Sequence, residues 1–235
     1  MKYAINILLI ILLTIASIVN AQHICIEEVL ELEEALYSKK YVEGEQPVYL
    51  NYNIKNTDWE GKIVNSNVKI YRDYQNLHFF SKEVTIYQDN EDVLMVLNNQ
   101  KVVMREKAPK DLTKKGHSDE FIELRKKFLT SCEVVSCTEE KSIKTLILKS
   151  KNDMNGALFI NKMIYTYDKN AQKVLSTAIY YNKGYKLKEI VINYNEIDMK
   201  STYKFGKSRQ YVLDKKNGLL AKYKGFELID NTKKN

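Results

Sequence analysis

From residue 47 onward the chain is a succession of short runs rich in β-branched and aromatic residues, with turn residues between them. PVYLNYNI, NVKIYRDY, NLHFFS, EVTIYQ, DVLMVLN and KVVMRE follow one another. Residues of these types favour strands. Asn56, Asp58 and Gly61 separate the first two runs, and Asp89-Asn90-Glu91-Asp92 falls between two later ones. Asn98-Asn99 is placed for a tight hairpin, since Asn tolerates positive φ. Further on come SIKTLILKS, ALFINKMIYTYD, KVLSTAIYYN, YKLKEIVINYN, STYKF, RQYVLD and LLAKYKGFELID, again with turn residues between several of them. Short links between consecutive strands make an antiparallel meander the economical arrangement. In KMIYTYD, Met163, Tyr165 and Tyr167 share one face, so this strand has an apolar side. With 17 tyrosines and two prolines, the composition suits long uninterrupted strands.

Two stretches break the period. In CIEEVLELEEALYS (25–38), Cys25, Val29, Leu32 and Leu36 recur at helical spacing, and Ile26, Leu30 and Tyr37 widen the stripe. Glu27, Glu31 and Glu34 fall on another face, and Glu27 and Glu28 near the start suit the helix dipole. After the polar, basic segment 107–117, Ser118 reads as an N-cap. Asp119 and Glu120 follow it, and Phe121, Ile122, Leu124, Phe128 and Leu129 make an apolar stripe, which predicts a second helix over 118–130. The expected fold class is α+β, mostly antiparallel β. It is an unclosed, half-open β-barrel of a single curved sheet, with the amphipathic helices covering its concave face.

The first 21 residues read as a cleaved secretory signal. Lys2 precedes the apolar run Ile7–Val19, and Val19-Asn20-Ala21 resembles a cleavage site. The run has 13 residues, short of the roughly 20 that span a bilayer as a helix. Residues 22–235 then form a single β-rich domain in an extracytoplasmic space. Cys25 is not a lipid-anchor site, because Ile24 stands where a lipobox needs a small residue. In an oxidising compartment, the three cysteines leave one thiol over. The leading pairing is Cys132 with Cys137 across a turn. The competing pairings join Cys25 to one of them and would staple the first helix down. The formal charge of +7, or +6 without Lys2, is spread among 30 acidic residues rather than gathered in a stripe, which argues against a nucleic-acid partner.

No catalytic constellation emerges, so the chain reads as a non-enzyme without cofactor or metal. His23, His78 and His117 are too far apart for regular zinc-ligand spacing. GHSDE at 116–120 is explained by helix capping. Glu27-Glu28-Glu31-Glu33-Glu34 and Glu139-Glu140 read as solvated faces. Asp89-Asn90-Glu91-Asp92 lacks the central Gly and downstream Glu of a calcium loop. The aromatic strand residues carry the functional signal. Phe79, Phe80, Tyr87, Tyr165, Tyr167 and Tyr194, with Met95 and Met163 as adaptable contacts, are the candidate lining of a hydrophobic cavity. Tyr180 and Tyr181 lie on the same kind of strand. Plain core packing is the alternative for each.

NVKIYRDYQNLHFF followed by EVTIYQDNEDVLMVLNNQKVVMRE, and then KVLSTAIYYNKGYKLKEIVINYNEIDMKSTYKF, resemble the strand succession of the LolA-like superfamily of bacterial extracytoplasmic proteins. The resemblance covers most of residues 26–205. It implies an unclosed antiparallel barrel with a helical lid over a cavity for acyl chains. It also implies a periplasmic, monomeric carrier of an acylated lipoprotein or lipid, working beside envelope membrane proteins. The competing reading is an envelope protein-interaction or assembly module with a collapsed, ligand-free barrel and a basic surface at 105–117.

Overall fold

The computed structural model describes residues 24–34, 44–108, 117–151 and 159–233. The leader, Leu36 and Tyr37, and most of the basic segment 107–117 lie outside them. Helix α1 runs over residues 24–34 and α2 over His117–Ser131. The strands are β1 (Val48–Asp58), β2 (Ile63–Arg72), β3 (Leu77–Phe80), β4 (Val84–Gln88), β5 (Asp92–Leu97) and β6 (Val102–Lys107). They continue with β7 (Glu133–Glu140), β8 (Ile143–Lys149), β9 (Ile160–Asp168), β10 (Lys173–Tyr181), β11 (Leu187–Asp198) and β12 (Glu227–Asp230). They form one sheet in the order β12-β6-β5-β4-β3-β2-β1-β11-β10-β9-β8-β7, which begins and ends on different strands and is therefore unclosed. The ladders from β2 to β6 and from β7 to β10 are antiparallel, as the short links predict. The pairing of β12 with β6 is parallel. Among the described residues no helix is long and apolar enough to cross a membrane.

The chain divides into two compact units interleaved in sequence. Of the described residues, the first holds 24–34, 56–63, 117–151 and 159–192, and the second 44–55, 64–108 and 193–233. In the first unit α1 and α2 lie against β8 and β9. Cys25, Ile26 and Val29 of α1 and Phe128 and Leu129 of α2 bury against Leu146, Leu148, Met163, Tyr165 and Tyr167. The alternation read in KMIYTYD is the cause, since every second residue of β9 is buried from Met163 to Tyr167. Leu124, expected in the apolar stripe of α2, is 68% exposed. Side chains of the first turn of α2, Ser118 included, fall outside the described residues.

In the second unit Tyr87, Leu94, Val96 and Val103 form a core with Val212 and Leu213, joined by Phe80, Tyr211, Leu219, Tyr223, Phe226 and Leu228. Here the structure departs from the strand pattern. STYKF forms no regular structure, and RQYVLD begins in a 3-10 turn, Ser208–Tyr211. Of LLAKYKGFELID only Glu227–Asp230 is a strand. The cause is anchoring. Asp89 accepts hydrogen bonds from the Ser208 N–H (2.7 Å) and hydroxyl (2.8 Å), and the buried Asp92 carboxylate binds both Arg105 and Arg209. These contacts lay the segment across β4–β6 as a cover. The hairpin between β5 and β6 also differs. It is a four-residue turn whose positive φ falls on Lys101 (54°), not on Asn98 or Asn99.

The cysteine pairing is corrected as well. The disulfide joins Cys25 to Cys137, with Cα atoms 6.6 Å apart, and Cys132 is the buried free thiol. CEVVSC is not a turn. It leads into and forms part of β7, and an extended strand separates residues five apart by about 16 Å, far beyond the roughly 4.4–6.8 Å a disulfide spans. The bond therefore ties the start of α1 to β7.

Candidate functional site

The inward residues of β9 carry polar tips that meet charges on the helices. Tyr167 donates its hydroxyl to Glu28 (2.7 Å), and Lys144 donates to both oxygens of the same carboxylate (2.8 and 2.7 Å). Burial opposes the charge of Glu28, but the Lys144 and Tyr167 hydrogen bonds outweigh it and hold the carboxyl below its usual range. Burial and the neighbouring Glu28 push the Tyr167 phenol up. A turn further along α1, Glu33 takes a two-pronged pair from Arg125 of α2, both contacts at 2.8 Å, and Arg125 also donates to the Tyr165 hydroxyl. Side chains of 8 and 21% exposure for Lys144 and Glu28 mark the first pair as half-buried.

Beside this clamp lies a cavity of about 360 Å³ in the first unit, lined by Glu28, Glu31, Leu32, Tyr167, Lys169 and Gln172. Its apolar wall is Leu32 and the Tyr167 ring. Its rim carries two carboxylates, an ammonium and an amide. Such a lining can take an amphiphile, with an apolar portion on the wall and a polar group at the rim.

Of the expected lining residues, Met163, Tyr165 and Tyr167 sit in the first unit's core, and Tyr167 alone of the three also lines the cavity. The other five belong to the second unit and divide between two faces of the sheet. Phe80 and Tyr87 lie on the covered side. Phe79 and Met95 lie on the opposite side, where Ile70, Phe79, Ile86, Met95 and Met104 stand in register on consecutive strands. Tyr194 meets Tyr52, ring centres 5.8 Å apart.

On the covered side the aromatic rings enclose His78, which is fully buried. The rings of Tyr87, Phe205 and Tyr211 stand nearly perpendicular to the imidazole at 4.8–5.0 Å, and those of Tyr203 and Phe80 at 5.6 and 6.2 Å. Nδ1 shares a hydrogen bond with the Tyr203 hydroxyl (2.9 Å), and Nε2 has no partner among the described residues. Burial pushes the imidazole down to about 4, against the opposing pull of Asp73 and Asp89, so the ring is neutral near pH 7. Burial likewise pushes the Tyr87 and Tyr203 phenols up to about 12. A neutral histidine walled in by rings is a packing element of this core.

The clamp is absent from the sequence reading. Glu28 and Glu33 read there as part of a solvated face, yet Glu33 is 8% exposed. The signal is present, because Glu33 continues the four-residue spacing of Cys25 and Val29. Lys144 likewise occupies an inward position in the alternation with Leu146 and Leu148. A charge on the buried parity of an element marks a partner on the element above it.

No protein-family model matches the sequence, and no curated protein is similar to it. Among solved structures the chain is similar to an uncharacterized conserved protein from Thermus thermophilus, at 8% identity and a TM-score of 0.42, over 87% of this chain and 98% of that one. It is also similar to an outer membrane lipoprotein-sorting protein domain from Vibrio parahaemolyticus (11%, TM-score 0.31, 77 and 96%). A third neighbour is a LolA superfamily protein from Nitrosomonas europaea (10%, TM-score 0.28, 75 and 94%).

Proposed function

We propose that the protein is a non-enzymatic carrier or binding protein of the periplasm that holds an acylated amphiphile, such as a lipid or the acyl chains of a lipoprotein. The observation that carries this reading is the cavity beside α1, with Leu32 and the Tyr167 ring as its wall and Glu28, Glu31, Lys169 and Gln172 around it. Apolar burial of a chain there is worth about 0.8 kcal/mol per methylene. The resemblance of the strand succession to the LolA-like superfamily supports the ligand class. Native mass spectrometry of the purified protein tests it. A bound species with the mass of an acylated lipid is expected, released on activation and absent from Leu32→Trp, which fills the cavity. A wild-type protein that flies free of ligand, and takes none from added lipid, refutes it.

The burial of Tyr87, Met163, Tyr165 and Tyr167 in the two cores favours a second reading. An envelope assembly module with a collapsed interior would place its function on the surface and carry no lipid.

A further inference from the structure

The first unit carries an exposed aromatic patch at one end of its strands. Trp59 in the β1–β2 turn is 40% exposed, Ile63 at the start of β2 52%, Phe159 just before β9 45%, and Tyr185 between β10 and β11 37%. Trp59, Phe159 and Tyr185 come from three separate connections, yet they are assembled, and Ile63 follows the turn that carries Trp59. The Trp59 indole N–H donates to the Tyr185 carbonyl (2.7 Å), Tyr185 stacks on Tyr181 at 4.2 Å, and Phe159 lies 6.2 Å from Tyr185. The Asn182 N–H donates to the Phe159 carbonyl (2.7 Å). Phe159 holds a φ of 49°, unfavourable for an aromatic residue, while its ring stays in solvent. A soluble surface gains nothing from displaying Trp, Tyr, Phe and Ile together.

Lysines flank the patch. Lys62, Lys183 and Lys186 are exposed beside Trp59, Ile63 and Tyr185 in the chain, and the Lys162 ammonium lies 4.2 Å over the Tyr180 ring. The nearby acids Asp58, Glu60 and Glu189 offset part of this positive charge. Asp58 accepts from the N–H groups of Glu60 and Lys62, Glu189 accepts from Thr57, and Glu60 is exposed.

We propose that this patch docks the protein on an anionic lipid surface. Amphipathic aromatic rings suit the headgroup layer, and lysines around them pair with lipid phosphates. The Trp59 N–H already has an acceptor within the protein, so its indole enters that layer without an unpaired donor. The proposal stands independently of the cavity and its ligand.

Trp59 is the chain's one tryptophan, so its fluorescence reports the patch directly. The full chain, purified as the cell processes it, is mixed with vesicles of phosphatidylcholine alone or with about one-third phosphatidylglycerol. The expected result is a blue shift of Trp59 and its quenching by lipids brominated near the headgroup, on the anionic vesicles only and weakened by salt. Lys62→Glu/Lys183→Glu/Lys186→Glu binds at least tenfold more weakly, on the basis of about 1 kcal/mol per lysine near such a surface. Ile63→Ser/Tyr185→Ser also binds at least tenfold more weakly, with melting curves checking that both variants fold. If Tyr185→Ser disturbs the fold, Ile63→Ser alone decides the apolar part. An unshifted, unquenched Trp59 on anionic vesicles overturns the proposal. So does lipid binding equal in all variants, or a sedimentation shift showing that the patch joins two copies of the chain instead.

Discussion

Replacing both Cys25 and Cys137 by serine removes the one covalent tie between α1 and the sheet. The disulfide closes a loop with a sequence separation of 112 residues. Chain-entropy reasoning assigns such a loop about 5 kcal/mol of stabilisation, and removal of native disulfides typically costs about 2–5 kcal/mol. The clamp at Glu28 and Glu33 remains, so α1 stays docked at a lower stability. Urea unfolding followed by circular dichroism should show a midpoint lowered by about 1–2 M, for a slope of about 2–3 kcal/mol/M. Cys132→Ala is the control. It removes a buried sulfur outside the bond and should cost about 1 kcal/mol. Peptide mapping without reduction should join the Cys25 and Cys137 peptides, and Cys132 should react with a thiol reagent only after unfolding, since burial keeps it protonated and covered. A Cys132–Cys137 peptide in the map, or a double variant as stable as wild type, refutes this account of α1.

Glu33→Ala leaves Arg125 half-buried against Tyr165 without its carboxylate, and should destabilise by about 3 kcal/mol, read as a fall in the thermal midpoint. A loss below about 1 kcal/mol would show the pair to be a surface contact. His78 predicts an acid sensitivity. Its folded-state value of about 4 lies below the ordinary 6.5, so between these values the unfolded chain takes up a proton that the folded core refuses. Stability contributed by neutral His78 is complete above pH 6.5 and is lost as pH falls toward 4, by about 3 kcal/mol. Urea midpoints at pH 7 and 5 measure it. His78→Phe should flatten the slope in that window, and an unchanged slope counts against the assignment.

What the sequence disclosed follows from where each signal resides. The inward row of β9 is legible because strict alternation has one physical reading, a strand with one covered face. The same rule gives false strands where aromatic residues serve another purpose. Tyr203, Phe205 and Tyr211 look like strand residues, but they close over His78, held by ionic and hydrogen-bonding anchors 116 or more positions away in sequence. Local propensity carries no information about such partners. β7 escapes notice because its charged and cysteine-containing sequence follows a helix directly and resembles a turn. The disulfide goes with it, since pairing depends on the extended conformation of that segment. The charged clamp is legible in principle, because Glu33 and Lys144 each interrupt an otherwise apolar period.

The clamp and the disulfide together bear on how any ligand reaches the cavity. A lid that lifts from its barrel must release its contacts, and α1 is held at three successive levels. Cys25 is bonded to β7, Glu28 is held by Lys144 and Tyr167, and Glu33 is held by Arg125. Pivoting about the disulfide would part Lys144 from Glu28 and Arg125 from Glu33, at a cost of about 3 kcal/mol for the Glu33 pair and less for Lys144, which keeps Glu139 at 3.7 Å. A ligand that required this would lose most of the affinity gained by burying several methylenes. Of the cavity lining, Glu28 and Tyr167 belong to these anchors and Lys169 pairs with Glu28 at 3.9 Å, whereas Glu31, Leu32 and Gln172 stand outside them. If the proposed carrier function holds, these anchors make α1 a fixed wall of the cavity rather than its door.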